Sequence, residues 1–182
     1  MVVSVFIISQ ILAGIAFLPA LMSFQFKKRE HILLLLVFSA SLMSIHFFLL
    51  NQLTASLIAF LGAGKMFVAR KFALEKMMIL FLLLNMILLF ITYQQPVNLL
   101  AFLATTCFTY ANFRKDDKPL RLLMMLGTTI WIIHNTLVGS PVAVLIEASF
   151  LAGNIIGYYR YYIRSKWFKK PISTAATFSC FS

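Results

Sequence analysis

The stretch VNLLAFLATTCFTYANFRKDDKPLRLLMMLGTTIWIIHNTLVGS, residues 97–140, carries the pattern that decides the fold. Two apolar runs are separated by a short charged turn, Arg114-Lys115-Asp116-Asp117-Lys118-Pro119, and the second ends at an uncharged turn, Gly139-Ser140-Pro141. A spanning helix needs about 20 mostly apolar residues, and about 17 to 25 will serve. Each run is that long, so the unit reads as a helix, a basic turn, a helix and an uncharged turn.

The same alternation extends along the rest of the chain. Apolar runs fall at Ser4–Phe24, His31–Leu50, Leu53–Ala69, Lys76–Tyr93, Val97–Phe113, Leu120–Val138 and Val142–Ile163. Turns after the first, third and fifth runs carry Lys27, Lys28 and Arg29; Arg70, Lys71 and Lys76; and Arg114, Lys115, Lys118 and Arg121. A tail adds Arg160, Arg164, Lys166, Lys169 and Lys170, whereas turns after the second, fourth and sixth runs have no Lys or Arg. Basic residues are retained on the cytoplasmic side. The expectation is an all-α membrane protein of seven transmembrane helices, amino terminus out and carboxyl terminus in. The stretch Pro171–Ser182 reads as a poorly ordered tail.

Composition agrees. Of 182 residues 62% are hydrophobic and 12% charged, with mean hydropathy +0.93. A soluble domain carries roughly a quarter charged residues. The net charge of +11 is a membrane-anchoring signature, not a nucleic-acid footprint, because every basic residue except Lys65 lies in a cluster flanking an apolar run. Cys107 falls within a span and Cys180 in the tail, so no disulfide is expected. The first run lacks a basic leader and reads as a retained helix.

A shift of 88 residues lays 12–58 over 100–146. Besides inexpensive Leu and Ala matches, it pairs Lys27 with Lys115 and His46 with His134. The implied layout is two parallel three-helix bundles joined by a linker helix, 3+1+3, with segments 1–70, 71–96 and 97–164 and a basic tail 165–182. Chance agreement between apolar helices is the competing account.

Ionisable residues at membrane depth are costly and mark function by default. His46, Lys65, His134 and Glu147 qualify, with amides Gln10, Asn85, Asn135 and Asn154. Thr128, Trp131, His134 and Asn135 share one helix face by their spacing, and Glu147 and Asn154 share another. Counting along the helices places His46, His134 and Glu147 in the outer half of the bilayer and Lys65 and Asn154 deeper. A buried His or Asn can equally serve as interhelical glue, and Lys65 can snorkel to the cytoplasmic interface. Glu147 needs a partner or a proton; His134 is the expected partner and Lys65 the second choice. No metal-ligand spacing, nucleophile elbow or phosphate loop is present, so neither an enzyme nor a cofactor is expected.

The segments Ile45-His46-Phe47-Phe48-Leu49-Leu50, Trp131-Ile132-Ile133-His134-Asn135, Gly139-Ser140 and Ile146-Glu147-Ala148-Ser149-Phe150-Leu151 resemble the bacterial inner-membrane YgjV-type family over nearly the whole chain before the tail. That resemblance implies a location rather than an activity. The 3+1+3 layout more distantly resembles the SWEET sugar transporters and PQ-loop proteins, in which asparagines on the third and seventh helices face the substrate. Asn154 matches the seventh-helix position, but Lys65 stands near the third. The Pro-Gln motif is missing: Ala20 follows Pro19, and Cys107 occupies the corresponding place in the fifth helix. These departures disfavour sugar and suit an anionic, zwitterionic or proton-coupled solute.

The expectation is therefore a transporter of a small polar solute, with Lys65, Asn154, Trp131 and Asn135 binding it and Glu147, His134 and His46 gating or taking up a proton. The alternative is a non-transporting sensor or assembly protein. The expected partners are the bilayer and the solute, not nucleic acid; the oligomeric state, homo-oligomer included, is left open. In a cysteine-free background, Gln52→Cys, Gln95→Cys and Gly139→Cys should react with an impermeant maleimide in intact cells. Lys28→Cys, Lys71→Cys and Lys118→Cys should react only after permeabilisation.

Overall fold

The computed structural model describes residues 3–23, 29–69, 72, 74–113 and 117–164. These form seven α-helices: α1 Val3–Ser23, α2 Arg29–Leu49, α3 Leu53–Ala69, α4 Glu75–Thr92, α5 Val97–Asn112, α6 Asp117–Leu137 and α7 Pro141–Tyr158, the last continued by a π-helical stretch Tyr159–Arg164. No strand occurs among the described residues. The basic residues Lys27, Lys28, Arg70, Lys71, Arg114, Lys115, Lys166, Lys169 and Lys170, together with Cys180 and the tail 165–182, lie outside the described residues.

Each apolar run becomes a helix, and the boundaries follow from local chemistry. α6 starts three residues earlier than expected. Pro119 is tolerated in a first turn. α7 begins on Pro141, whose missing N–H costs nothing at the first helical position. Four stretches, Val3–Ser23, Glu75–Thr92, Lys118–Leu137 and Pro141–Arg164, are long and apolar enough to cross a membrane. Leu33–Leu49 and Leu53–Val68 are shorter apolar helices.

The distribution of side chains is inverted relative to a water-soluble bundle. Large apolar groups face outward: Phe90 and Ile91 are each 76% exposed, and Phe60, Leu137, Leu145 and Ile156 are also well exposed. The most enclosed side chains are Ile58, His46, His134, Asn85, Asn135, Thr54, Thr109, Ser9 and Ser140, all but the first polar. Buried alanines, Ala13, Ala16, Ala55, Ala101, Ala104 and Ala143 among them, let backbones approach closely. Hydrocarbon is the solvent that suits such a surface and such an interior.

Packing follows the chain. α1 lies on α2 and α2 on α3; α5 lies on α6 and α6 on α7. α4 rests on α3 and α5, while α1 meets α7 and α3 meets α5. Side chains stitch these contacts. Ser39 donates to the Ala16 carbonyl at 2.7 Å. Ser44 and Ser56 exchange bonds with each other's carbonyls at 2.9 and 2.8 Å. Thr54 donates to the Thr92 carbonyl at 2.9 Å.

The turns after α2 and α6 are built alike. Asn51 and Gly139 both adopt positive φ, 60° and 71°, the left-handed geometry that ends many helices. Gln52 N donates to Phe47 O, and Ser140 N donates to Asn135 O, both at 2.9 Å. Leu50 N to His46 O has its match in Val138 N to His134 O, and Asn51 N to Phe48 O in Gly139 N to Thr136 O. Every donor and acceptor in one turn stands 88 residues from its counterpart in the other (51 to 139, 46 to 134).

Gly127 is a tight point. A Cβ there would lie 2.6 Å from Phe108 Cε1 and 3.0 Å from the Ala104 carbonyl oxygen. Gly127→Leu should therefore wedge α6 from α5 and lower stability by about 1–3 kcal/mol, read as a fall in the thermal midpoint in detergent. Gly14 faces open space, so Gly14→Ala should raise the midpoint, by about 0.5–1 kcal/mol of helix propensity.

Candidate functional site

At the end of the bundle formed by the α2–α3, α4–α5 and α6–α7 turns, polar side chains from different helices meet. His46, fully enclosed on α2, has Nδ1 2.7 Å from the Ser9 carbonyl on α1. Its Nε2 lies 3.0 Å from Ser140 Oγ at the start of α7. A carbonyl only accepts, so Nδ1 donates; in a neutral ring Nε2 then accepts the Ser140 hydroxyl. Beside it, Gln10 Oε1 accepts the Val142 N–H at 3.3 Å, filling one of the amides that a helix start leaves free. One imidazole thus ties α1 and α2 to α7.

Next to this junction lies an aromatic cluster. Phe47 stacks on Trp131 with centroids 5.3 Å apart and planes 19° from parallel. His134 presents its edge to both, at 5.6 Å and 4.9 Å. The cluster fills the space between α2 and α6, and Ala55, Ile58, Ala101 and Ala104 back it from α3 and α5.

His134 is the counterpart of His46 but is bonded differently. Its Nδ1 lies 3.2 Å from Asn135 Oδ1. Its Nε2 and the Asn135 Nδ2 are buried with no partner. Thr128, Trp131, His134 and Asn135 are all buried, as expected of a single inward face.

Lys65 lies deeper. It is buried to 3% exposure on α3, and Nζ donates to Thr109 Oγ1 on α5 at 2.9 Å. Thr109 in turn donates to the Thr105 carbonyl at 2.8 Å. Lys65 turns into the bundle and does not run to the interface. Starting level with His46 near residue 54, it lies about 16 Å farther along α3 at 1.5 Å per residue.

The expected Glu147–His134 pair does not form. His134 turns to its neighbour Asn135, and Lys65, the second choice, turns to Thr109. Among the described residues Glu147, half-buried on α7, has neither a hydrogen bond nor an ion pair. Helix placement separates Glu147 from Lys65, since α7 packs on α6 and α1 while α3 packs on α2, α4 and α5; His134 is on the adjacent α6, but its ring is turned to Phe47 and Trp131. Asn154, also half-buried, donates to the Phe150 carbonyl one turn back at 3.1 Å. The structure thus brings His46, Trp131, His134 and Asn135 together near one end, holds Lys65 at the α3–α5 contact, and leaves Glu147 and Asn154 on α7. Cys107 is a free thiol.

Several participants carried little signal in the sequence. Ser9 acts through its backbone carbonyl, which no residue type announces. Thr109 is one of several threonines on α5, and only the fold selects it. Ser140 was visible as part of a turn, and Phe47 as a neighbour of His46. No group of three metal-ligating side chains occurs among the described residues.

His46→Ala should leave the Ser9 carbonyl and the Ser140 hydroxyl unpaired, at a cost of about 1–3 kcal/mol. Ser140→Ala breaks only one of the two contacts and should cost about 0.6–1.7 kcal/mol. Thermal unfolding of both variants in detergent ranks them.

The polar residues above all fall within a region matched by a family model described as bacterial inner membrane protein, Imp-YgjV, over residues 7–165. The chain is 31% identical over 158 residues to inner membrane protein YgjV of Escherichia coli (strain K12), covering 84% of this chain and 83% of that protein. No solved structure matches. By its match from α1 through the π-helical stretch, the chain belongs to the Imp-YgjV family of bacterial inner membrane proteins.

Proposed function

We propose that the chain crosses the inner membrane seven times, amino terminus out and carboxyl terminus in, as two parallel three-helix bundles joined by α4, and moves a small polar solute by alternating access. The observation that carries the transport reading is Lys65. A buried ammonium has three N–H donors, and this one uses a single hydroxyl acceptor. Leaving a charge so enclosed without a counter-charge is expensive, and a transient solute supplies what the protein withholds.

Two further observations support the arrangement. The α2 and α6 turns repeat each other bond for bond at a spacing of 88 residues, as expected of two halves with one design. The His46–Ser140 contact ties α2 to the start of α7, which in this reading joins the two halves at their outer end. Together with the Phe47–Trp131 stack it would be the closed outer gate, with Lys65 beneath it. His134 and Asn135, holding unpartnered polar atoms at the level of that gate, are placed to meet solute or water as it passes. The reading does not lean on Glu147, which lacks the partner an ion-pair gate would need. Asn154 would face the solute only if α7 swings toward α3 during the cycle.

The alternative, a non-transporting membrane protein, is favoured by the reciprocal Ser44–Ser56 pair and the Thr54–Thr92 bond, which act as glue and leave no donor spare. Uptake into proteoliposomes separates the two. The panel should span sugars, amino acids, carboxylates and amines, with and without a pH gradient. Transport predicts flux of one class, lost in Lys65→Met; absence of flux for every class, with unchanged cellular function in Lys65→Met, supports the alternative.

A further inference from the structure

We propose that Lys65, Thr109 and Asn85 frame a binding site for a small monocarboxylate; this rests on the reading of Lys65 as a solute-binding residue and names the solute's class. Three observations converge on it.

The first is charge. Lys65 is the one basic residue outside the clusters that flank the apolar runs, and its neighbour in the structure is a hydroxyl, not an acid. Of the five acidic residues, Glu30 and Glu75 lie in the first turns of α2 and α4, Asp116 and Asp117 belong in the sequence to the charged stretch between the fifth and sixth apolar runs, and Glu147 is on a helix that packs elsewhere. One positive charge is balanced by one negative charge. A dianion would leave a surplus charge in the interior. A zwitterion would bring an ammonium group for which no carboxylate waits beside Lys65. A monovalent anion leaves neither.

The second is room. Gly62 stands one turn from Lys65 on the same helical face. A Cβ built at Gly62 would meet nothing within 4 Å. No other group thus occupies the position beside Gly62, which is half-buried one turn from Lys65.

The third is an unspent polar group. Thr54 and Thr92 are hydrogen-bonded across α3 and α4. Counting seven residues inward on each helix sets Asn85 opposite Leu61, at the level of Gly62. Asn85 is 1% exposed and its Oδ1 has no partner. A half-turn of the carboxamide exchanges its oxygen and nitrogen, so the group can offer either an acceptor or an N–H donor. A planar carboxylate with two oxygens can take an N–H from Lys65 through one and from Asn85 through the other.

The test uses the full chain in nanodiscs of phosphatidylcholine, a lipid without net charge. Isothermal titration with lactate, acetate, succinate, glycine, chloride, choline and glycerol reads binding directly. The expected result is saturable heat with lactate or acetate, weaker binding of succinate and glycine, and none with choline or glycerol. Lys65→Met should reduce carboxylate affinity about tenfold or more, as loss of a charge-assisted hydrogen bond implies. Gly62→Leu keeps the charge and fills the room, and should have a similar effect; Gly14→Leu, filling open space on α1, should leave binding unchanged. Monodisperse elution of each variant verifies folding.

No heat with any carboxylate overturns the proposal, as does unchanged affinity in both Lys65→Met and Gly62→Leu. Chloride competing with lactate at equal concentration overturns the carboxylate assignment. Carboxylate binding that is lost in Lys65→Met, without flux in proteoliposomes, upholds this site while rejecting transport.

Discussion

In a hydrocarbon solvent no water is present to complete a hydrogen bond, and this constraint shapes everything else in the chain. Backbone groups are satisfied by helices. Polar side chains have to find one another inside the bundle, and large apolar groups are left to face outward. The enclosed set of His46, His134, Asn85, Asn135, Thr54 and Thr109, set against exposed Phe90 and Ile91, is the direct outcome. The small residues that carry the packing, such as Ala104 and Gly127 at the α5–α6 contact, follow from the same cause: with no hydrophobic force between helices, close approach of backbones must supply the attraction.

Within that frame the two histidines show how one residue type can serve two ends. His46 spends both ring nitrogens, on a carbonyl of α1 and on a hydroxyl at the start of α7. His134, 88 residues on, spends only one. Identical turns beside them exclude a difference in backbone geometry as the reason. The difference lies in what faces each ring: Ser140 stands where it meets His46, while its counterpart Gln52 is half-buried at the other turn. The half that is fully bonded holds the helices together, and the half that is not keeps polar capacity in reserve.

Much of this was legible from residues alone. The start of α3 at Leu53 and its end at Ala69 were read as they stand, because Asn51-Gln52 and Arg70-Lys71 interrupt an otherwise apolar run. The inward face of α6 followed from spacing, and burial of Thr128, Trp131, His134 and Asn135 agrees. What spacing cannot convey is which helices become neighbours. Glu147 and His134 stand at similar depth on adjacent helices, which made them natural partners, yet rotation of each about its own axis decides whether side chains meet. Lys65 had a basic interface five residues away and still turned inward to Thr109. Acceptors such as the Ser9 and Thr92 carbonyls belong to the backbone and leave no trace in composition.

Ser140 does two jobs that cannot be separated. As the residue preceding α7 it occupies the position where a hydroxyl normally caps the first amides of the helix, yet it makes no such cap because its oxygen is engaged with His46. Gln10 covers the Val142 amide in its place. Pulling α7 away from α1 and α2 would free the serine to fold back over its own helix while stripping away the glutamine. The severed contact would thus be partly replaced by one the same residue can make at once, which offsets part of the cost of separation.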